Sequence, residues 1–337
     1  MIELQRRSRH LRRLTFWLSL LGAIVGAIGC VPAVAAGTGL VFVSNEKSNE
    51  IVVYDKNFDR VASIPTARRP RDMHFNLDHT LLYVSCGDDD EIDVIDVKTL
   101  TDIDSIPTGP SPEMFTTTPD GKAFYVSDEE QSQVEKIDIG SGKTVQTVTT
   151  GPEPEGVILS PDGKTLYVTS ETADMVHVID TMTGKVIKNI VVGTRPRRFV
   201  MTPDGKELWV SCELSSEVDV IDRATNTVTD QLTFVPPGFR EEEVTPVGMT
   251  ITRDGSKVLL TLGRANHLAI VDAHTKKVLA YALVGSRAWG VDLSRDEKTA
   301  VVTNGLSDDI TLVDMGSMKP IRSIAAGRTP HSVIIDD

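Results

Sequence analysis

The chain has 337 residues, of which 40% are hydrophobic, 25% charged and 5% aromatic, and it carries a net charge of −13. This composition excludes a disordered chain, and three cysteines are too few for a disulfide scaffold. An acidic body repels phosphate backbones and anionic lipid, so no nucleic acid is expected as a partner, and no membrane beyond the leader.

Residues 1–36 read as a signal peptide. Arg6, Arg7, Arg9, Arg12 and Arg13 precede an apolar run from Leu14 to Val31, and Ala33-Val34-Ala35 follows it. A basic start, an apolar stretch and a small-x-small site are the three parts of a secretory leader. Cleavage after Ala35 or Ala36 starts the mature chain near Gly37. Lipoprotein processing at Cys30, a twin-arginine signal at Arg12-Arg13 and an uncleaved anchor are the alternatives. The run is rich in Gly and Ala, which makes it marginal as a membrane span.

The rest of the chain is one repeat. A Val/Ile-x-Val/Ile-Asp block, with substitutions in some copies, ends at Asp55, Asp96, Asp138, Asp180, Asp222, Asp272 and Asp314, at spacings of 41, 42, 42, 42, 50 and 42 residues. A second block keeps the same ruler: Phe42–Asn45, Tyr83–Cys86, Tyr125–Asp128, Tyr167–Ser170, Trp209–Cys212, Leu259–Leu262 and Val301–Asn304. Pro-Asp-Gly-Lys turns precede three of these copies, at Pro119, Pro161 and Pro203, and altered copies stand at Asn76–His79, Arg253–Gly255 and Arg295–Glu297. In the unit from Gly156 to Gly193, four short runs (Gly156–Ser160, Leu166–Ser170, Met175–Asp180 and Lys185–Val192) read as strands separated by turn residues. Four antiparallel strands per repeat of this length predict a propeller blade. The mature chain opens at Leu40 with the second strand of a unit and ends at His331–Asp336 with a first strand. The expected fold is therefore all-β: a seven-bladed propeller over 37–337, closed by the C-terminal strand pairing in the N-terminal blade.

In a propeller, the loop entering each first strand and the loop joining strands two and three share one face, where ligands are expected. The entering loops follow a Gly-x-x-Pro-x pattern, and the residues after the proline position are Arg71, Glu113, Glu155, Arg197, Val247, Trp289 and His331. Arg68, Arg69, Arg195, Arg198, Arg287 and Arg328 add positive charge, and Glu153 adds negative charge to the arc of Glu113 and Glu155. The candidate ligand-binding residues at the channel mouth are Arg69, Arg71, Glu113, Glu155, Arg195, Arg197, Arg287, Trp289 and His331. Clustered guanidinium forks suit a carboxylate or phosphate, and Trp289 and His331 could stack on a planar ligand. The competing arrangement pairs these arginines and glutamates between neighbouring blades and leaves the aromatic rings as channel filling.

The loops after strand two add acid at Asp88-Asp89-Asp90-Glu91, Asp128-Glu129-Glu130 and Asp308-Asp309. They read as a solvated rim or as a docking face for a basic partner. The segment Phe234–Glu243 breaks the ruler and is a candidate lid or contact loop. Of the histidines, His267 and His331 are expected on the site side. Cys86 and Cys212 fall in non-adjacent blades and read as small buried residues, not a disulfide. No catalytic or metal-binding motif stands out.

The Tyr-Val-Ser/Thr-x and Val-x-Val-Ile-Asp blocks, with the Pro-Asp-Gly-Lys turns, resemble the YVTN family of β-propeller repeats over the mature chain, best over Tyr83–Asp222. More narrowly, the secreted seven-repeat architecture is similar to the β-propeller family associated with PQQ-dependent catabolism, which occurs beside quinoprotein alcohol oxidation and transport components in Gram-negative bacteria. The resemblance implies a periplasmic, non-enzymatic accessory protein. The implied partner is a quinoprotein dehydrogenase, a cytochrome c or a transporter component. It transfers no catalytic residues and no resident cofactor, although PQQ, planar with three carboxylates, would suit the arginine ring as a ligand. Leu259–Leu262 and Val301–Asn304 depart from the family pattern. Two alternatives stand beside this reading: a redox or cofactor-binding subunit similar to the haem d1 and amine dehydrogenase propellers, and a cell-surface scaffold.

Overall fold

Alternation of apolar side chains sends each second strand's residues to two opposite faces, and both faces are buried. In Thr165–Ser170, Leu166 and Val168 pack with Val134 of the preceding sheet, and Tyr167 packs with Leu208 and Val210 of the next. β-Branched and aromatic residues suit such a pleated, two-sided contact. The computed structural model describes residues 37–337; the segment read as a signal peptide, with Cys30, lies outside the described residues.

Residues 37–337 form a seven-bladed β-propeller of four-stranded antiparallel blades. Blades two to seven begin with the inner strands Pro70–Phe75, Pro112–Thr117, Pro154–Leu159, Pro196–Met201, Pro246–Ile251 and Ala288–Leu293. Blade one takes its inner strand, Pro330–Asp336, from the C-terminus, paired antiparallel with Leu40–Asn45 so that Leu40 faces Asp336 and Phe42 faces Ile334. The Asp336 carboxylate accepts from the backbone N–H of Thr38 at 2.9 Å and from its hydroxyl at 2.7 Å, which ties the two ends of the ring together.

The turn residues act as the sequence implies. Gly121, Gly163, Gly205 and Gly255 hold left-handed φ near +68° in the turn between strands one and two. His79 and Glu297 adopt the same region where the repeat has lost its glycine. The Asp that ends each third strand caps the next turn: Asp96, Asp138, Asp180, Asp222, Asp272 and Asp314 each accept the backbone N–H three residues on. Inner strands start earlier than the apolar pattern suggests, at Pro154 instead of Gly156 in blade four, because a bulge follows the proline and interrupts the alternation.

The insertion folds as a 3-10 turn at Glu241–Glu243 between buried Phe234 and Val244. Its Val235 N–H donates to the Tyr281 hydroxyl at 3.0 Å, and Phe239 packs edge-on against His267. Cys86 and Cys212 are free and buried.

Candidate functional site

The bulge after each proline releases backbone groups from the inner ladder, and the Ser or Thr of the second-strand block takes them up. Ser85 Oγ accepts the N–H of Asp72 in its own blade and donates to the carbonyl of Glu113 in the next. The same hydroxyl position donates from Ser44 to Arg71, Ser127 to Glu155, Thr169 to Arg197, Ser211 to Val247, Thr261 to Trp289 and Thr303 to His331. The repeat motif thus fixes the backbone of every residue in the predicted ring. Glycine permits the closest of these approaches: a Cβ on Gly248 would lie 2.2 Å from the Trp289 carbonyl oxygen.

All nine candidate residues line one cavity of about 370 Å³ at the channel mouth. The entering loops bring them there. Residues 69, 111, 153, 195, 287 and 329 sit in the left-handed region just before the inner strand, which turns the chain toward the axis. Their carbonyls accept the N–H of the first residue after strand two, at 87, 129, 171, 213, 305 and 46. That position supplies Glu46, Glu129, Glu171 and Glu213. Glu46, Glu171 and Glu213 were not singled out from the sequence, although they share one place on the 42-residue ruler.

The arginines and glutamates pair across blades. Arg71 Nη1 lies 2.5 Å from Glu46 Oε1, and its Nη2 contacts Glu113. Arg69 Nη2 lies 2.5 Å from Glu113 Oε1. Arg197 meets Glu155 at 3.1 Å, contacts Glu171 closely, and approaches Glu213 at 3.5 Å. Arg195 meets Glu171 at 2.8 Å, and Arg287 meets Glu213 at 2.8 Å. Arg198 Nη2 lies 3.2 Å from Glu155 Oε1 and 3.1 Å from Nε2 of His331. Arg197 and Arg287 lie 5.2 and 4.8 Å from the centroid of the Trp289 ring. The pairing arrangement is therefore present, and it surrounds an open cavity.

Burial works against every charge here, and the partners decide the outcome. Burial opposes the Glu155 charge, but Arg197, Arg198 and Arg71 outweigh it and hold the carboxyl low. Burial pushes Glu113 up against the pull of Arg71. Glu171 also rises, through burial and the neighbouring Glu155. Burial and three nearby guanidiniums push His331 well down, so it is neutral. Three buried donors in the walls find no hydrogen-bond partner: Nε of Arg71, Nε of Arg197 and Nε1 of Trp289. The same walls hold two acceptors without a hydrogen bond, Oε2 of Glu113 and Oε1 of Glu155, but each lies in an ion pair, as Nε of Arg197 does with Glu213 at 3.5 Å. Orphaned buried donors are uncommon, and Nε of Arg71 and Nε1 of Trp289 suit a ligand that brings acceptors.

Trp289 also walls a second cavity of about 300 Å³ along the axis, with Asp72, His74, Arg198 and Asp292. Arg198 belongs to the expected arginine ring, whereas Asp72, His74 and Asp292 carry no sequence signal of their own. Asp72 and Asp292 accept backbone N–H groups from the neighbouring inner strands, at Phe115 and Ile335. Several expected residues lie elsewhere. Arg68 pairs with Asp89 on the rim at 2.5 Å, and Glu153, Arg328 and Val247 do not line the mouth. His267 is packed between Phe239 and Tyr281, outside the cavity, and no residue of the insertion borders the mouth. The acid of the rim is partly structural, since Asp90 and Asp308 accept the N–H groups of Ser111 and Thr329. Among the described residues no cluster of three His, Cys, Asp or Glu is arranged to hold a metal ion, and no helix is long and apolar enough to cross a membrane.

The sequence profile of the family described as lactonase, 7-bladed beta-propeller, matches residues 105–238 and, overlapping, 159–333. No significant match to a curated protein sequence is found. Among solved structures, hydrazine synthase of Kuenenia stuttgartiensis superposes with a TM-score of 0.75 at 22% identity, covering 83% of this chain and 94% of that one. The periplasmic gluconolactonase of Pseudomonas aeruginosa gives 0.74 at 18% identity, covering 88% and 99%. The dihydro-heme d1 dehydrogenase NirN gives 0.66 at 16% identity, covering 89% and 76%. At these identities the likeness is one of fold.

Proposed function

This chain belongs to the seven-bladed β-propeller lactonase family, and from that premise we propose that its channel mouth binds a small planar organic carboxylate without transforming it. The carrying observation is the pair of unpartnered buried donors on Arg71 and Trp289, two residues that line one cavity. A carboxylate brings acceptors to those donors, and a planar ring lies against Trp289 beside its two guanidiniums. The motif resemblance extends this reading to a periplasmic accessory protein of PQQ-dependent alcohol oxidation. Its ligand would be PQQ or a related acid, and its partner a quinoprotein dehydrogenase, cytochrome c or transporter component. The test is titration with PQQ, followed by thermal shift and Trp fluorescence. A raised melting temperature in the native protein, weakened about tenfold in Trp289→Phe, is expected for loss of one hydrogen bond to a charged acceptor. No shift with PQQ in the native protein rejects PQQ as the ligand.

Lactone hydrolysis is the second reading, favoured by the family and by the buried carboxyls of Glu113 and Glu171, both displaced toward the protonated form beside arginines. Water would add to the acyl carbon, the ring C–O bond would break, and the alkoxide would take a proton. The product is a hydroxy acid, a carboxylate that suits the same donors. Release of acid from glucono-δ-lactone above the spontaneous rate, lost in Glu113→Gln, would establish this reading against the non-catalytic one.

A further inference from the structure

The rim of the mouth is not uniform. The first residue after strand two is Glu46, Glu129, Glu171 and Glu213 in blades one, three, four and five, but Gly87, Gly263 and Gly305 in blades two, six and seven. In blade two the space is filled, because a Cβ on Gly87 would lie 3.0 Å from Nη1 of Arg69. At Gly305 a side chain would fit in ordinary van der Waals contact. A Cβ there would meet its nearest atoms at 3.6 Å or more, and Gly305 is not among the glycines with positive φ. Neither backbone strain nor packing demands glycine at this position, so the gap it leaves is available to a ligand.

Beside Gly305 the mouth adjoins another cavity, of about 450 Å³, lined by Gly263, Arg264, Asn266, Ser286, Arg287 and Leu306. Arg287 and Leu306 belong to both cavities. Arg264 is exposed and forms no ion pair among the described residues, unlike the arginines of the ring. Asn266 uses its carbonyl oxygen to accept the Arg287 N–H at 2.8 Å, which leaves its amide N–H groups free to donate. Leu306, 75% exposed, stands between the two spaces.

We propose that the mouth continues sideways over blades six and seven as a second subsite, which takes the far carboxylate of an elongated organic anion whose first carboxylate sits at the mouth. Arg264 supplies the charge, Asn266 and Ser286 supply donors, and Leu306 covers an apolar midsection. Blades six and seven carry no glutamate at this rim position, and the nearest acids, Asp308 and Asp309, are engaged by the Thr329 N–H and by the side chains of Asn304 and Ser307. The inference rests on the mouth being a carboxylate site.

The test compares the dicarboxylates succinate to sebacate with the monocarboxylates butanoate to decanoate, by calorimetry at low salt, where charge pairing is least screened. In the native chain the longer dicarboxylates should bind about tenfold more tightly than monocarboxylates of equal length, as expected for one added charge-assisted contact. Arg264→Glu should erase that preference and keep the monocarboxylate affinity. Gly305→Glu, which fits the backbone, should erase it by filling the gap. Equal affinity for both series in the native chain, or a preference that survives both variants, overturns the second subsite and leaves the mouth reading intact. Binding of neither series overturns the second subsite, and the PQQ titration then decides the mouth reading separately.

Discussion

Nη2 of Arg198 lies 3.1 Å from Nε2 of His331, which joins the inner strands of blades five and one across the channel. Since Arg198 can only donate, His331 accepts at Nε2 and carries its proton on Nδ1, 3.0 Å from the Ser332 hydroxyl. The ring is held in one tautomer between two cavities, and its neutrality follows from burial and from the guanidiniums of Arg71, Arg198 and Arg197.

This neutrality makes His331 an acid-sensitive point. Its folded pKa lies well below the ordinary value of 6.5, so the unfolded chain binds the extra proton first. Stability should therefore fall as pH drops from about 6.5 toward the depressed folded value. Ring chemical shifts of His331 should stay those of neutral imidazole between pH 8 and pH 5, roughly the range in which a free histidine titrates. A titration near 6.5 would contradict the contact.

Arg197 is the shared cation of Glu155, Glu171 and Glu213. Arg197→Ala leaves three buried carboxylates short of a partner and should cost about 3–5 kcal/mol in urea denaturation. Arg197→Lys keeps the charge but not the fork, and should fall between the two. A native-like midpoint for the alanine variant would show that the ring does not depend on this cation.

The closing strand has its own pH signature. Burial alone would raise the Asp336 carboxyl, but hydrogen bonds from Thr38, with His79 at 2.7 Å, outweigh it and hold it below the ordinary value. A depressed carboxyl contributes stability above about pH 4 that is lost as pH falls through the folded value. Asp336→Ala should cost about 1–3 kcal/mol at pH 7. The gap to the native chain should narrow below about pH 4. Measuring both unfolding curves across that range checks it.

Cys86 and Cys212 are sealed from solvent, and burial, with the nearby carboxylates of Asp93 and Asp219, pushes both thiols up. A chain starting at Gly37 should leave both thiols unlabelled by an aromatic disulfide reagent until it unfolds, then release two equivalents. Labelling of the folded chain would show that a blade opens.

The sequence by itself determined the fold. A period of 42 residues suffices because each blade buries its faces only against its two neighbours, so local pattern and turn chemistry specify the whole ring. The loop pattern also brought the nine residues to the mouth: six follow the proline position, and Arg69, Arg195 and Arg287 stand two residues before three of these, at one equivalent place in their blades. Tertiary structure alone decided which charges meet. Arg71 finds Glu46 and Glu113 in adjoining blades, and Arg198 reaches His331 from 133 positions away. The same closure revealed that Ser and Thr of the repeat pin the site backbone, and that Gly305 lines the mouth where four other blades place a glutamate. Side-chain pairing around an axis depends on distances between residues far apart in the chain, and periodicity in one dimension carries no record of them.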